Sequence, residues 1–173
     1  MRPRLFVRIM LFFSSYFPLL LIFSILFWRT HLYWALECLT VGFVSLLVTF
    51  VYIRRRLKKG GISQTLITHV EKRDENVVSY IASYLIPFVT FPLDKPEQIS
   101  ALLVFIGVLM ILYVNSNMLY INPMLNLFGY HLYEIEIDND DMSHYVIARG
   151  LIRPNKMLYF VRISTGVFLE KKV

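Results

Sequence analysis

The chain has 173 residues, of which 57% are hydrophobic and 17% charged, with a net charge of +6, where soluble domains carry roughly 25% charged residues. Its mean hydropathy of +0.57 and its apolar blocks of about twenty residues, enough for a helix to cross some 30 Å of hydrocarbon, exclude an ordinary water-soluble fold and indicate an integral membrane protein. Cys38 is the single cysteine, which excludes an internal disulfide and a cysteine-based zinc site.

The first element runs from about Leu5 to Trp28. Arg2, Arg4 and Arg8 precede or open it, as in a signal peptide, but the apolar run is longer than such peptides use and no small-residue cleavage site follows. A retained first span is expected. The second runs from Ala35 to Ile53 and contains Glu37, an acid inside a span and hence a functional candidate by default. Because Glu37 lies three residues after Trp34, an interfacial or interhelical hydrogen-bond role is favoured over transport. Trp28, Tyr33 and Trp34 lie where an aromatic belt is expected.

A basic loop at 54–76 follows, led by Arg54, Arg55, Arg56, Lys58 and Lys59. These residues suit a topology determinant that also touches anionic lipid, or a docking surface for an acidic partner. The third span, Val77 to Leu93, is short and contains Ser79, Ser83 and Pro87, which suits a helix packed inside a bundle. The fourth runs from Ala101 to Ile121. The connections "RTHLYW" and "DKPEQIS" carry only Arg29 and Lys95, against the many basic residues of the N-terminus and the 54–76 loop, so both termini are expected in the cytoplasm.

Near the inner end of span four, Asn115, Ser116 and Asn117 are suited either to interhelical hydrogen bonds or to a plain helix exit. Asn122 and Pro123 break the helix, and with Asn126 they form an expected membrane-to-cytoplasm elbow. Leu125, Leu127 and Phe128 are expected to pack beneath the bundle. The period then changes to two. In "HLYEIEID", His131, Tyr133, Ile135 and Ile137 share one face and Leu132, Glu134, Glu136 and Asp138 the other. Further strands are expected at 144–149, 157–163 and 167–170, with "STG" at 164–166 as a hairpin turn.

Chemistry-bearing patterns are sparse. Asp138, Asp140 and Asp141 lack the glycine and the final glutamate of a calcium loop and read as a turn. His31, His69, His131 and His144 are scattered, and no P-loop, nucleophile elbow or dinucleotide fingerprint occurs, so no enzyme activity, metal or cofactor is expected. The expected fold is an α-helical membrane protein with four transmembrane helices in two hairpins over residues 1–121, and a small C-terminal cytoplasmic β-rich unit over 122–173.

At "SNMLYINPMLNLFGYHLYEIEI", and at "SYLIPFVTF" within the third span, the chain resembles the KwaA family, the membrane subunit of the Kiwa anti-phage defence system. The resemblance implies a multi-pass protein of the bacterial inner membrane that senses infection and acts as anchor for a soluble KwaB type subunit, itself the nucleic-acid-facing member. No direct contact of this chain with nucleic acid is then expected. Homo-oligomerisation, as a tetramer, is also implied. An alternative class is a small ion-conducting or membrane-permeabilising effector, which a polar stripe along one helix face would favour.

Overall fold

The computed structural model describes residues 3–74, 79, 95–115, 122–137, 140–154, 156–164 and 166–171. The expected third span, Val77 to Leu93, lies outside the described residues apart from Ser79, and so do Ser116 and Asn117.

The expected first span is two helices, α1 (Leu5–Ser15) and α2 (Phe17–Phe27), bent by 62°. Pro18 explains the break: it has no N–H to donate to the carbonyl four residues earlier, and its ring crowds that carbonyl. Tyr16 sits between the helices with φ −92° and ψ 10°, a conformation suited to a turn. The next helix, α3 (Leu32–Lys59), runs antiparallel against α1 and α2 and is long and apolar enough to cross a membrane. Gly42, Ser45 and Thr49 fall on its buried side, and a Cβ at Gly42 would stand 3.0 Å from the Phe17 ring. Small residues of this kind let helix backbones approach where lipid offers no hydrophobic drive for packing.

Helix α4 (Pro96–Asn115) is the second segment long and apolar enough to span. It begins five residues before the expected Ala101. Pro96 occupies its first turn, Glu97 complements the positive end of the helix dipole, and the Gln98 side chain accepts a hydrogen bond from the Lys95 N–H at 3.0 Å. Asn115 is exposed at its last turn.

The largest departure from expectation concerns the loop at 54–76. Its first six residues continue α3, and Ser63–Lys72 form a strand, β1. With β2 (His131–Ile137), β3 (Asp140–Ala148), β4 (Met157–Ser164) and β5 (Val167–Glu170) it closes a barrel in the order β1-β2-β3-β5-β4. The first half of β1 pairs with β4, placing Gln64 opposite Tyr159. The second half pairs with β2, placing Val70 opposite Ile135. A bulge between Ile67 and His69 turns the strand from one partner to the other. All pairs are antiparallel except β3 with β5. This is the connectivity of a five-stranded Greek-key barrel of the OB type, a likeness of topology that specifies no ligand.

The barrel interior is filled by Ile67, Tyr133, Ile135, Val146, Phe160 and Phe168, all buried. Gly166, at φ +73°, makes the β4–β5 turn. The barrel therefore draws one strand from before α4 and four from after it. The helix and its flanks form one long insertion between β1 and β2, and the β unit does not begin at residue 122.

Candidate functional site at the joint between helices and barrel

Two features of the local sequence bring the barrel against the helices. The first is Gly60, directly after α3. A side-chain carbon there would stand 2.1 Å from Val161 Cγ1 on β4 and 2.7 Å from the Arg56 carbonyl, so only glycine lets β4 approach the helix end this closely. The second is the expected elbow. Asn122 is extended, with φ −124° and ψ 107°, as the residue before a proline must be, and Pro123 opens a short helix, α5 (Pro123–Leu127).

Asn122 is only 1% exposed, and its amide is used at both ends. The side-chain oxygen accepts from the Met124 N–H at 3.0 Å, capping α5. The side-chain nitrogen reaches the Leu11 carbonyl and Ser14 Oγ of α1, each at 3.5 Å. The elbow is thus tied to the first helix, over a hundred residues earlier. Pro123, Met124 and Leu125 are buried beside it.

Leu125 is the apolar centre of the joint. It packs with Ile53 of α3 and with the outward faces of four strands, through Leu132, Ile147, Ile163, Val167 and Leu169. Leu132 was expected on a solvated face. The period-two pattern is correct, but the face opposite the barrel interior is covered by helices at this end, so Leu132 is buried with the rest. A void of about 20 Å³ lies within this cluster, walled also by Leu11 and Tyr52. Its almost wholly apolar lining offers a water no partners. Phe128 meets Phe50 edge-on, with ring centroids 4.6 Å apart, whereas Leu127 is 74% exposed and does not pack beneath the bundle as expected. Asn126 is half-buried, and its carbonyl accepts from the Gly129 N–H where α5 ends.

A polar staple holds the opposite ends of the insertion. Asp74 follows β1 and His131 opens β2. The Asp74 carboxylate accepts from the Leu132 N–H at 3.1 Å and lies 2.7 Å from both His131 Nδ1 and Lys72 Nζ. Arg73 donates its N–H to the Leu132 carbonyl and pairs with Glu71 and Glu134 at 2.7 and 2.9 Å. Partial burial alone would raise the Asp74 pKa, but the hydrogen bonds from Lys72, Leu132 and His131 outweigh it and hold the carboxyl below its ordinary value. Desolvation pushes the neighbouring Tyr133 phenol up.

The five basic residues expected to form one surface are not equivalent. Arg54, Arg55, Lys58 and Lys59 are exposed, but Arg56 turns back on Tyr52, donating to its hydroxyl at 3.2 Å with the guanidinium 5.3 Å from the ring centre. Glu37 is exposed on α3, far along the helix from the joint. Among the described residues no group of three or more His, Cys, Asp or Glu side chains is placed to hold a metal. Gly60 and the Asp74–His131 pair were not anticipated from the sequence. The Gly60-Gly61 step after a charged helix end was a usable signal, whereas the acid and histidine lie 57 positions apart and carry none.

These observations define a class: a protein with apolar helices of membrane-spanning length, one of them lying in chain order between the first two strands of a closed β-barrel that packs against α3 and a buried elbow. The family model of the anti-phage protein KwaA matches residues 7–169, nearly the whole chain, and the chain belongs to that family. It is also similar to the Kiwa protein KwaA of Escherichia coli O55:H7 (strain RM12579 / EPEC), with 24% identity over 130 residues, covering 70% of this chain and 67% of that protein. No solved structure matches. A role in anti-phage defence follows from the family.

Proposed function

We propose that the chain is the membrane-embedded sensor and anchor subunit of an anti-phage complex, lying in the bacterial inner membrane with both termini and the barrel on the cytoplasmic side. The observation that supports this reading is the insertion of α4 between β1 and β2. In chain order α4 lies between the Asp74 staple that follows β1 and the elbow where a buried Asn122 caps α5, so it is tethered to the barrel on both sides. A disturbance of the membrane is thereby passed to a soluble surface. The basic residues Arg54, Arg55, Lys58 and Lys59 hold the barrel end at the inner face.

The surface offered to a soluble subunit of the KwaB type is the outer side of β1 and β4. There Leu66, Met157 and Tyr159 are exposed, with Leu66 opposite Met157 in the ladder, while β2, β3, β5 and the end of β4 are already covered by the joint. A homo-oligomer would present several such surfaces together. To test the reading, Leu66→Glu with Met157→Glu should leave membrane abundance unchanged, abolish co-purification of the soluble subunit and remove protection against phage. Intact co-purification and protection would place the partner elsewhere.

A further inference from the structure

One face of α3 carries a groove of about 490 Å³, lined by Phe43, Leu46, Leu47, Phe50, Val51 and Arg54. These positions recur at helical spacing and form a single strip. From Phe43 to Arg54 the strip covers eleven residues, or about 16 Å, which matches half of a hydrocarbon core of about 30 Å. Its wall is apolar for the depth of one leaflet and ends on an exposed guanidinium at headgroup level.

The barrel side of the groove is completed from a distant part of the chain. Phe128 of the elbow meets Phe50, and the Phe128 carbonyl accepts from Arg149 Nη2 at 3.5 Å. Arg54 lies one helical turn beyond Phe50, so two arginines flank the Phe50–Phe128 contact. Arg149 is exposed, with its guanidinium 4.7 Å from the Tyr130 ring centre; the nearby Glu170 carboxylate accepts from its backbone N–H at 3.3 Å. Phe43, at the other end, is closed off by Phe17 with ring centroids 5.4 Å apart.

We infer that this groove binds one anionic phospholipid of the leaflet next to the barrel, its acyl chain along Phe43 to Val51 and its phosphate between Arg54 and Arg149. A helix of a second copy fits less well. Helix-packing faces use small residues, and α3 puts its small residues, Gly42, Ser45 and Thr49, on the buried face toward α1 and α2. The strip itself has only Phe, Leu and Val before its arginine. Because Phe128 and Arg149 belong to the elbow and the barrel, headgroup charge would bias the position of the joint.

The test uses the full chain in nanodiscs, with Trp28→Phe and Trp34→Phe removing the native fluorophores and Leu47→Trp placing one in the groove. Phosphatidylglycerol with brominated acyl chains should quench this tryptophan at least about threefold more than brominated phosphatidylcholine at equal mole fraction, since each basic side chain at a membrane surface favours anionic lipid on the order of fivefold. Arg54→Gln with Arg149→Gln should abolish the preference, and Arg55→Gln, one position off the strip, should preserve it. Equal quenching by both lipids, a preference that survives the double substitution, or one lost equally with Arg55→Gln would overturn the inference. Absence of quenching together with cross-linking between copies through position 47 would also overturn it, by assigning the groove to a second copy.

Discussion

The barrel shields its apolar side chains more completely than the two long helices do, although the helices share a buried cluster of Leu11, Phe12, Tyr16, Leu19, Phe23 and Tyr113. Inside the barrel Ile135 and Val146 are fully shielded and Phe168 nearly so, whereas Leu47, Val104 and Phe105 on the two long helices are exposed. The difference follows from the solvent each region is built for. In water a small barrel is held by removing apolar area from solvent, worth about 25 cal/mol per Å². In lipid that drive is missing, and helix contact rests on interlocking side chains such as Phe12 and Tyr113 and on close approach at small residues such as Gly42 and Ser45, whose hydroxyl donates to the Gly42 carbonyl at 2.7 Å. The joint is the place where the two regions meet, because Leu125 and Ile53 are covered by strand residues and by Tyr52 and Leu57 of α3 in one cluster.

The comparison is broken most directly by truncating one residue on each side. Phe168→Ala, between Phe160 at 4.3 Å and His144 at 5.1 Å, should cost about 3–5 kcal/mol and make the barrel sensitive to protease in isolated membranes. Leu47→Ala should cost less than about 0.5 kcal/mol in the same assay, since the Leu47 side chain is exposed and leaves little packing to lose. Comparable losses would mean that the two regions do not obey different rules.

Leu125→Ala sharpens the comparison at the joint. Loss of about 2–4 kcal/mol is expected from a buried leucine whose surroundings already hold a void. It should appear as faster amide exchange in Leu132 and Ile147, on the outward faces of β2 and β3, before the interior residues respond. A smaller effect, about 1–3 kcal/mol, is expected for Gly60→Ala, which forces α3 and β4 apart. Adding Val161→Ala should recover part of it, because one of the two crowding atoms is removed.

The smallest of the expected losses within the barrel is electrostatic. With the Asp74 pKa held below its unfolded value, its contribution is present above about pH 4 and is lost as pH falls through the lower, folded value. Asp74→Asn should therefore lower barrel stability at pH 7 by less than about 1 kcal/mol and flatten the pH dependence below about pH 4, read by thermal melting across that range.

Much of the barrel was legible in local pattern. The alternation in "HLYEIEID" and the "STG" turn located β2 and the β4–β5 hairpin, and Asn122-Pro123 marked the elbow, because each of these signals is confined to a few neighbouring residues. The strand β1 was not legible. Its sequence "SQTLITHVEK" is flanked by basic residues, and the strands that complete it begin roughly sixty and ninety positions later, so charge made it read as loop. The bend at Tyr16 was hidden for a related reason: hydropathy over a window does not register the hydrogen bond that Pro18 removes. Closing the barrel across an insertion that carries a helix is a long-range event, and so are the Asn122 contacts to α1 and the Asp74–His131 pair.

The central claim is that defence depends on the helices and barrel moving as one through the joint. The most direct test compares two neighbouring leucines of the elbow in cells at matched membrane abundance: Leu125→Ser, which opens the joint, and Leu127→Ser, at a position 74% exposed. The account predicts that plaque formation rises to the undefended level with Leu125→Ser and stays suppressed with Leu127→Ser. Full protection by both proteins, with amide exchange showing the joint open in the first, would contradict it.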